Sequence, residues 1–115
     1  MTETTNQPNI DLNPHDWEEV KRILRACVPG YEVWGFGSRA KWTAKAYSDL
    51  DLAIISEQAL PIAILADLRE SFDESDLTIK VDVVDWATTS EPFRKIIQKS
   101  RVVVQMGEKA ERGDE

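Results

Sequence analysis

Hydrophobic and polar positions alternate along this chain in two periods, and the period changes between helical and strand-like several times. Apolar residues three and four positions apart follow Asn13-Pro14, a pair typical of a helix start, and they stop before Pro29-Gly30. Runs of β-branched and aromatic residues between the helical stretches predict strands. The predicted helices begin at 13–14, 39, 61 and after the turn 88–92, and the predicted strands span 31–36, 50–55, 78–84 and 102–105.

The same periods predict which side chains face the core. Cys27 occupies an apolar position of the first helix, so we expect a buried thiol rather than a nucleophile. The other residues expected to face inward are Trp17, Val20, Ile23, Leu24 and Val28 of the first helix, Ile62, Leu65, Leu68 and Phe72 of the helix after Pro61, and Phe93, Ile96 and Ile97 of the last helix.

Length and the composition of the chain ends predict the domain organisation. A chain of 115 residues has the usual size of one domain. We expect a flexible leader over residues 1–12, one folded domain over 13–106 and a charged, disordered tail over 107–115. The chain has no run of 18 apolar residues and no signal-peptide pattern, and it carries a lone cysteine. A reducing, cytoplasmic location without membrane contact is the simplest expectation.

Charge is distributed unevenly along the chain. The formal net charge of −7 argues against non-specific nucleic-acid binding, which depends on many Lys and Arg contacts to phosphates. Residues 33–48 nevertheless contain no acid and carry Arg39, Lys41 and Lys45. Each of these charges taken alone fits a solvated helix surface. Together, directly before an acidic pair, they suit a nucleotide bound with a metal ion.

Three aspartates are candidates for a metal site. Asp49 and Asp51 lie two residues apart, so they project from one face of the second predicted strand, and Asp82 lies within the third. A carboxylate buried unpaired among apolar neighbours costs free energy. If the two strands are neighbours in a suitable register, the three carboxylates converge, and a divalent cation offsets their repulsion. Oxygen ligands of this kind suit Mg²⁺, although an isolated Asp-x-Asp is usually only a turn feature.

A Gly37-Ser38 turn separates the first predicted strand from a short helix. The backbone N–H groups and the hydroxyl of such a turn suit phosphate oxygens, and glycine permits close approach. A phosphate-binding turn beside metal-binding carboxylates indicates phosphoryl or nucleotidyl transfer, in which two metal ions stabilise the leaving pyrophosphate and activate the attacking hydroxyl. The Gly-x-x-x-x-Gly-Lys signature of P-loop hydrolases is absent.

Ten residues, 39–48, separate the Gly-Ser turn from Asp49-Leu50-Asp51. This spacing, followed by Val81-Asp82-Val83, resembles the pattern of the nucleotidyltransferase superfamily typified by DNA polymerase β, and in particular its minimal nucleotidyltransferases, the MNT family. The resemblance covers about residues 17–104. It implies an α/β (α+β) fold, the polymerase β-like palm, in which a small mixed β-sheet is backed by helices.

The resemblance also implies a function and a set of site residues. MNT proteins are typically paired with a helical HEPN-type partner in a heteromeric complex. Several such pairs are toxin–antitoxin systems in which the MNT protein transfers AMP from ATP to a tyrosine of the partner. The implied cofactor is Mg²⁺, with two ions expected, and ATP is the donor. The implied catalytic and metal-binding residues are Asp49, Asp51 and Asp82, and the implied nucleotide-binding residues are Gly37, Ser38 and Arg39.

Three functions are compatible with these patterns. The first is an enzyme, a Mg²⁺-dependent protein adenylyltransferase that acts as the antitoxin of a HEPN/MNT pair. The second is a nucleotide-binding antitoxin or accessory subunit that neutralises its helical partner by contact, without significant catalysis. The third, transfer to a small molecule such as an aminoglycoside, ranks lower because the chain has no room for an additional helical domain. Retention of the three acids and the Gly-Ser turn favours the enzyme.

Trp42 and Asp85 lie close to the motifs in the sequence but are expected to have other roles. Many MNT proteins carry glycine where this chain has Trp42, and we expect the indole to pack on the core or on a partner in preference to stacking on a base. Asp85 is out of phase with Asp82, so we expect it to face elsewhere, with a structural or partner-facing role.

Overall fold

The computed structural model describes residues 9–107, and this part of the chain folds into one four-stranded sheet with helices on both faces. The helices α1 to α4 span Pro14–Cys27, Ser38–Lys41, Ile62–Asp73 and Glu91–Ser100, and a 3₁₀ helix spans Trp86–Thr88. The strands β1 to β4 span Glu32–Phe36, Leu50–Ile55, Val81–Asp85 and Val102–Gln105. The predicted fold class, a small mixed β-sheet backed by helices, is confirmed.

The sheet has the strand order β3-β2-β1-β4. β1 runs antiparallel to both β2 and β4, whereas β2 and β3 run parallel and are joined by the crossover helix α3. The two strands that carry the predicted acids are therefore neighbours. Among residues 9–107, no helix is both long and apolar enough to cross a membrane.

Local sequence explains where the elements begin. The Asn13 side chain accepts a hydrogen bond from the Asp16 amide at 2.7 Å, and Pro14 follows it, as predicted for the start of α1. β3 starts at Val81 rather than at Thr78, because the Thr78 amide donates instead to the buried Asp16 carboxylate at 3.2 Å. Ser90 caps α4 by accepting from the Phe93 amide.

The two faces of the sheet are covered by different helices. On the first face, α1 and α3 bury a cluster that includes Val33, Leu52 and Val83. On the second face, α4 buries Ile97 against Trp34, Phe36 and Ala53. Successive side chains of a strand point to opposite faces, so Asp51 belongs to the α4 side of the sheet.

Several residues expected to face inward are exposed. Ile62, in the first turn of α3, is 86% exposed, whereas Leu68 and Phe72 are buried. In α4 the buried residue is Ile97; Ile96 lies about 100° away around the helix axis and is exposed. Phe93 packs edge-on against Phe36 at 5.8 Å between ring centroids, yet it keeps an exposed side. The buried faces of α3 and α4 therefore contain fewer residues than the apolar periodicity predicted. Cys27 is partly buried, with its Sγ 3.5 Å from the Ser71 hydroxyl.

The N-terminal segment also differs from the expectation of a flexible leader through residue 12. Ile10 and Leu12 are buried in the main core. At the other end, Gly107 is buried against Glu32, where an added Cβ would lie 2.9 Å from the Glu32 nitrogen. The alternation Ile10-Asp11-Leu12 was the signal for this packing. The rest of the predicted leader and tail, residues 1–8 and 108–115, lie outside the described residues.

Candidate active site

The register of the sheet brings Asp51 and Asp82 side by side. In the parallel pair β2–β3, Asp51 lies directly opposite Asp82, and on its other side Asp51 lies opposite Phe36 of β1. Neighbouring strands are about 4.8 Å apart, and the paired residues point to the same face. Asp49 lies just before β2, two residues ahead of Asp51. Asp49 and Asp82 are exposed, and Asp51 is partly buried.

The carboxylates influence one another electrostatically. Burial, and then repulsion from the charges of Asp82 and Asp49, together raise the pKa of Asp51 to about 6. Within residues 9–107, no three His, Cys, Asp or Glu side chains are grouped tightly enough to enclose an ion. The three aspartates are thus near neighbours that repel one another, without a closed cage of ligands.

This donor set fits a hard divalent cation. All three groups offer oxygen only, and two of them are exposed. The pKa of Asp51 is raised by burial and by the charges of Asp82 and Asp49, and a bound cation would offset both effects. Mg²⁺ is commonly held by one or two carboxylates together with water and substrate phosphates, so a partly open set of ligands suits it.

The Gly37-Ser38 turn is in direct contact with this acidic group. Gly37 has φ of +79°, a conformation that side chains rarely adopt. A Cβ at Gly37 would lie 2.6 Å from the Asp51 Oδ2 atom. The turn and the acids, although separated by ten residues in the sequence, therefore lie together at one site in the structure.

Ser100 is a site residue that the sequence analysis missed. Its Oγ accepts a hydrogen bond from the Gly37 amide at 3.1 Å, so the last residue of α4 braces the turn across 63 sequence positions. The Gly37 amide expected to face phosphate has this partner, whereas the first amides of α2 have no intrahelical acceptor. Nothing local in the sequence around Ser100 signals the contact, because it depends on how α4 crosses β1.

Arg39 does not extend toward the acids. It is 7% exposed, and its guanidinium donates hydrogen bonds to four backbone carbonyls, those of Asp11, Lys45, Ala46 and Ser48. Each guanidinium nitrogen of Arg39 is thus already hydrogen-bonded to the backbone. Arg39 therefore has a structural role in place of the predicted contact with phosphate. The sequence motif gives the position of Arg39, but the direction of its side chain depends on the loop that follows.

Trp42 ends α2 in a left-handed conformation, with φ of +61°. Its side chain is 52% exposed, so the expected packing on the core is wrong, and packing on a partner or stacking on a base remain. Since α2 stops here, the predicted helix over residues 39–45 is shortened to Ser38–Lys41.

Replacing Trp42 by glycine is expected to raise the free energy of unfolding by about 0.5–1 kcal/mol, because the left-handed conformation costs a side-chain-bearing residue about 1–2 kcal/mol, partly offset by the backbone entropy of glycine. Urea denaturation measures the difference. Trp42→Ala is the matched control, since it removes the indole and keeps the unfavourable conformation. Equal stability of the two variants would show that the backbone conformation is not the cause.

Asp85 is buried on the opposite face from Asp82 and has a structural role. Its carboxylate accepts hydrogen bonds from the Leu60 amide at 3.0 Å and from the Ala87 amide at 3.3 Å. It thus ties the end of β3 to the connection before α3 and to the 3₁₀ helix, as its phase in the strand predicted.

Comparison with known proteins decides the family. The family model described as "Polymerase beta, Nucleotidyltransferase" matches residues 18–109, which include the turn and all three aspartates. The chain belongs to the polymerase beta nucleotidyltransferase family. The resemblance inferred from the motifs is therefore confirmed, and the assignment of the chain to an enzyme family of nucleotidyltransferases is confirmed with it.

Relatives within this family are MNT proteins. The chain is 53% identical over 105 residues to the probable protein adenylyltransferase MntA of Haemophilus influenzae, covering 91% of this chain and 92% of that protein. A toxin–antitoxin structure with AMP-PNP matches with a TM-score of 0.67 at 22% identity, covering 88% of this chain and 79% of the other. The MNT antitoxin complexed with the tri-AMPylated HEPN toxin of Shewanella oneidensis matches with a TM-score of 0.61 at 17% identity, covering 89% and 78%. These two structures support the fold.

Proposed function

We propose that this nucleotidyltransferase moves AMP from ATP, in a Mg²⁺-dependent reaction, to a hydroxyl of a helical HEPN-type partner, and that it acts as the antitoxin of the pair. The observation that carries the proposal is the contact of the Gly37 turn with Asp51, which itself lies beside Asp82. A triphosphate-binding turn and a metal-binding pair of acids are thereby combined at one place on the sheet.

The roles of the residues follow from their positions. Asp49, Asp51 and Asp82 would hold Mg²⁺, which when bound neutralises triphosphate charge and lowers the pKa of the attacking hydroxyl. Asp82 lies on β3, on the side of Asp51 away from the Gly37 turn, so it is placed to orient the acceptor hydroxyl. The Gly37-Ser38 turn would receive the β- and γ-phosphates, with the first amides of α2 as donors, because the Gly37 amide is already bonded to Ser100. We expect the leaving pyrophosphate to depart along this turn.

The acceptor is proposed from the relatives and from the surface of this chain. The relative with 53% identity is named a protein adenylyltransferase, and the toxin in one matched complex carries AMP groups. Phe93 and Ile96 are exposed on α4, whose Ser100 contacts the Gly37 turn. Exposed apolar side chains beside the site favour a macromolecular partner over a small acceptor. A cytoplasmic setting, where ATP is present and the thiol of Cys27 stays reduced, fits this proposal.

The exposed apolar residues of α4 also support the second function, neutralisation of the partner by contact alone. The two functions differ in what they need from the acids. A binding subunit gains nothing from a partly buried Asp51 whose pKa is raised by burial and by two neighbouring carboxylates, whereas a transferase requires the three acids.

The test is incubation of the chain and a candidate helical partner with Mg²⁺ and either α- or γ-³²P-labelled ATP. We expect label on the partner from α-labelled ATP only, which distinguishes nucleotidyl transfer from kinase activity. Asp82→Asn should reduce labelling at least about 100-fold while retaining some Mg-ATP binding. Asp73→Asn, an exposed change at the end of α3, is the control and should label normally. Full labelling by Asp82→Asn would contradict the role proposed for Asp82, and neutralisation of the partner without any label would favour contact alone.

A further inference from the structure

The backbone on both sides of Asp49 is held by hydrogen bonds from other segments. The Ser48 carbonyl, in the peptide bond that joins Ser48 to Asp49, accepts from the Arg39 Nε atom at 3.0 Å. The Leu50 amide, on the other side, donates to the Lys80 carbonyl at 2.9 Å. Since Asp49 itself is exposed, these two backbone anchors determine where its carboxylate lies.

The Arg39 guanidinium holds the whole turn that leads into Asp49. Its Nη2 atom donates to the carbonyls of Lys45 at 3.3 Å and Ala46 at 3.2 Å. The turn is closed internally by the Ser48 amide, which donates to the Lys45 carbonyl at 3.0 Å. The planar fork of arginine reaches several carbonyls at once, which a lysine ammonium on a flexible stem cannot reproduce.

The same guanidinium is also hydrogen-bonded to the N-terminal strap, which we define as residues 9–12. The Arg39 Nη1 atom donates to the Asp11 carbonyl at 2.7 Å, and the Asp11 amide donates back to the Arg39 carbonyl at 2.9 Å. Ile10, one residue earlier, is 1% exposed and packs against Gly35, where an added Cβ would lie 2.5 Å from the Ile10 Cδ1 atom. The strap thus packs against β1 through Ile10 and is joined to Arg39 by two hydrogen bonds, one in each direction.

We propose that Arg39 and the backbone of the N-terminal strap form a clamp that positions Asp49, so that main-chain groups preceding the first helix help to place a site residue. Arg39 is a positioning residue, because it acts through the backbone of Asp49 and contacts no reacting group. The proposal rests on the proposed function for its kinetic consequences, but the position of Asp49 also governs metal affinity, which is measurable without turnover.

The experiment compares Asp11→Pro with Asp11→Ala in the full chain. Proline removes the Asp11 amide donor, whereas alanine removes only the side chain and keeps both backbone hydrogen bonds with Arg39. Arg39→Lys is the second variant, which keeps the charge and loses the fork. Mn²⁺ binding by electron paramagnetic resonance, the melting temperature and the kcat and KM of AMP transfer are measured for each, at a temperature well below every melting transition.

We expect Asp11→Pro and Arg39→Lys to weaken Mn²⁺ binding about 10-fold and to lower kcat about 10- to 100-fold, because displacements near 1 Å at a reacting centre have effects of this size. The KM for ATP should stay within about 3-fold, since the Gly37 turn is untouched, and Asp11→Ala should match the wild type. A role in stability alone predicts a lower melting temperature with unchanged Mn²⁺ affinity and kcat, and that result would overturn the clamp. If the wild type labels no partner, the Mn²⁺ comparison still decides it.

Discussion

Replacing Asp51 by asparagine is expected to abolish AMP transfer and, at the same time, to stabilise the metal-free protein at pH 7. Asp51 lies between the Gly37 turn and Asp82, so it is the one carboxylate in contact with both halves of the site. Under the proposed function, loss of its charge would remove several kcal/mol of transition-state stabilisation that a bound Mg²⁺ would provide, which corresponds to at least about 10³-fold in kcat.

The stabilising effect follows from the pKa of Asp51, which burial and the neighbouring aspartates raise from 3.8 to about 6. The folded protein therefore binds a proton at this carboxylate more tightly than the unfolded chain does. The free energy of unfolding contributed by Asp51 falls as the pH rises from about 4 to about 6, and stays low above that. Asparagine carries no charge, so the variant avoids this loss. The gain at pH 7 is about 1 kcal/mol, after allowance for the partial exposure of the side chain.

Thermal unfolding at pH 4 and at pH 7, without divalent cations, measures this prediction. Asp51→Asn should melt about 4 °C above the wild type at pH 7, and the difference should vanish toward pH 4. Addition of Mg²⁺ with a non-hydrolysable ATP analogue should raise the melting temperature of the wild type and leave that of the variant unchanged. Undiminished labelling of the partner by Asp51→Asn would refute the assignment of this residue. A variant less stable than the wild type at pH 7 would refute the electrostatic cause.

Replacing Gly37 by alanine is expected to impair transfer far more than folding. The alanine must adopt φ of +79° with ψ of −156°, a region used essentially only by glycine, at a cost of about 1–3 kcal/mol, and its Cβ would lie 2.6 Å from the Asp51 Oδ2 atom. The obstructing atom is the end of a side chain, so the chain accommodates the methyl group by turning the Asp51 carboxylate away. A displacement of this kind lowers kcat about 100-fold.

Gly30→Ala is the matched control for this variant. Gly30 is exposed after α1, and among residues 9–107 the positive φ of a glycine is confined to Gly37. We expect Gly30→Ala to keep full activity. Labelling rates and urea denaturation, measured on both variants, separate the loss of kcat from the loss of stability. A Gly37→Ala enzyme with kcat within about 3-fold of the wild type would contradict the close contact with Asp51.

Much of the fold was predictable because its signals are local. The Asn13-Pro14 start of α1, the strand Leu50–Ile55 and the short strand Val102–Gln105 all agree with the sequence pattern. The errors occur where tertiary contacts override local patterns. Thr78 donates its amide to the Asp16 carboxylate, which shortens β3, and the apolar Ile62 in the first turn of α3 is left exposed.

The candidate site was predictable in its acids and turn, because their spacing is a property of the sequence. The residues that hold the site in place were not, since each acts over a long separation. Ser100 reaches Gly37 only because α4 crosses β1, and the Arg39 guanidinium is bonded to backbone carbonyls only because residues 45–48 fold around it. The direction of a charged side chain follows from the acceptors around it, which a motif does not contain.

The strand order links the assembly of the site to protein synthesis. β4, near the C-terminus, is hydrogen-bonded to β1, and Ser100, just before it, braces the Gly37 turn. A nascent chain that has folded only through β3 already carries all three aspartates, but it lacks the strand and the hydroxyl that steady the turn beside them. The three aspartates precede α4 and β4 in the chain, so they leave the ribosome before the residue that braces the turn does. Pairing of β4 with β1 therefore completes the sheet and also brings in the Ser100 hydroxyl that braces the turn.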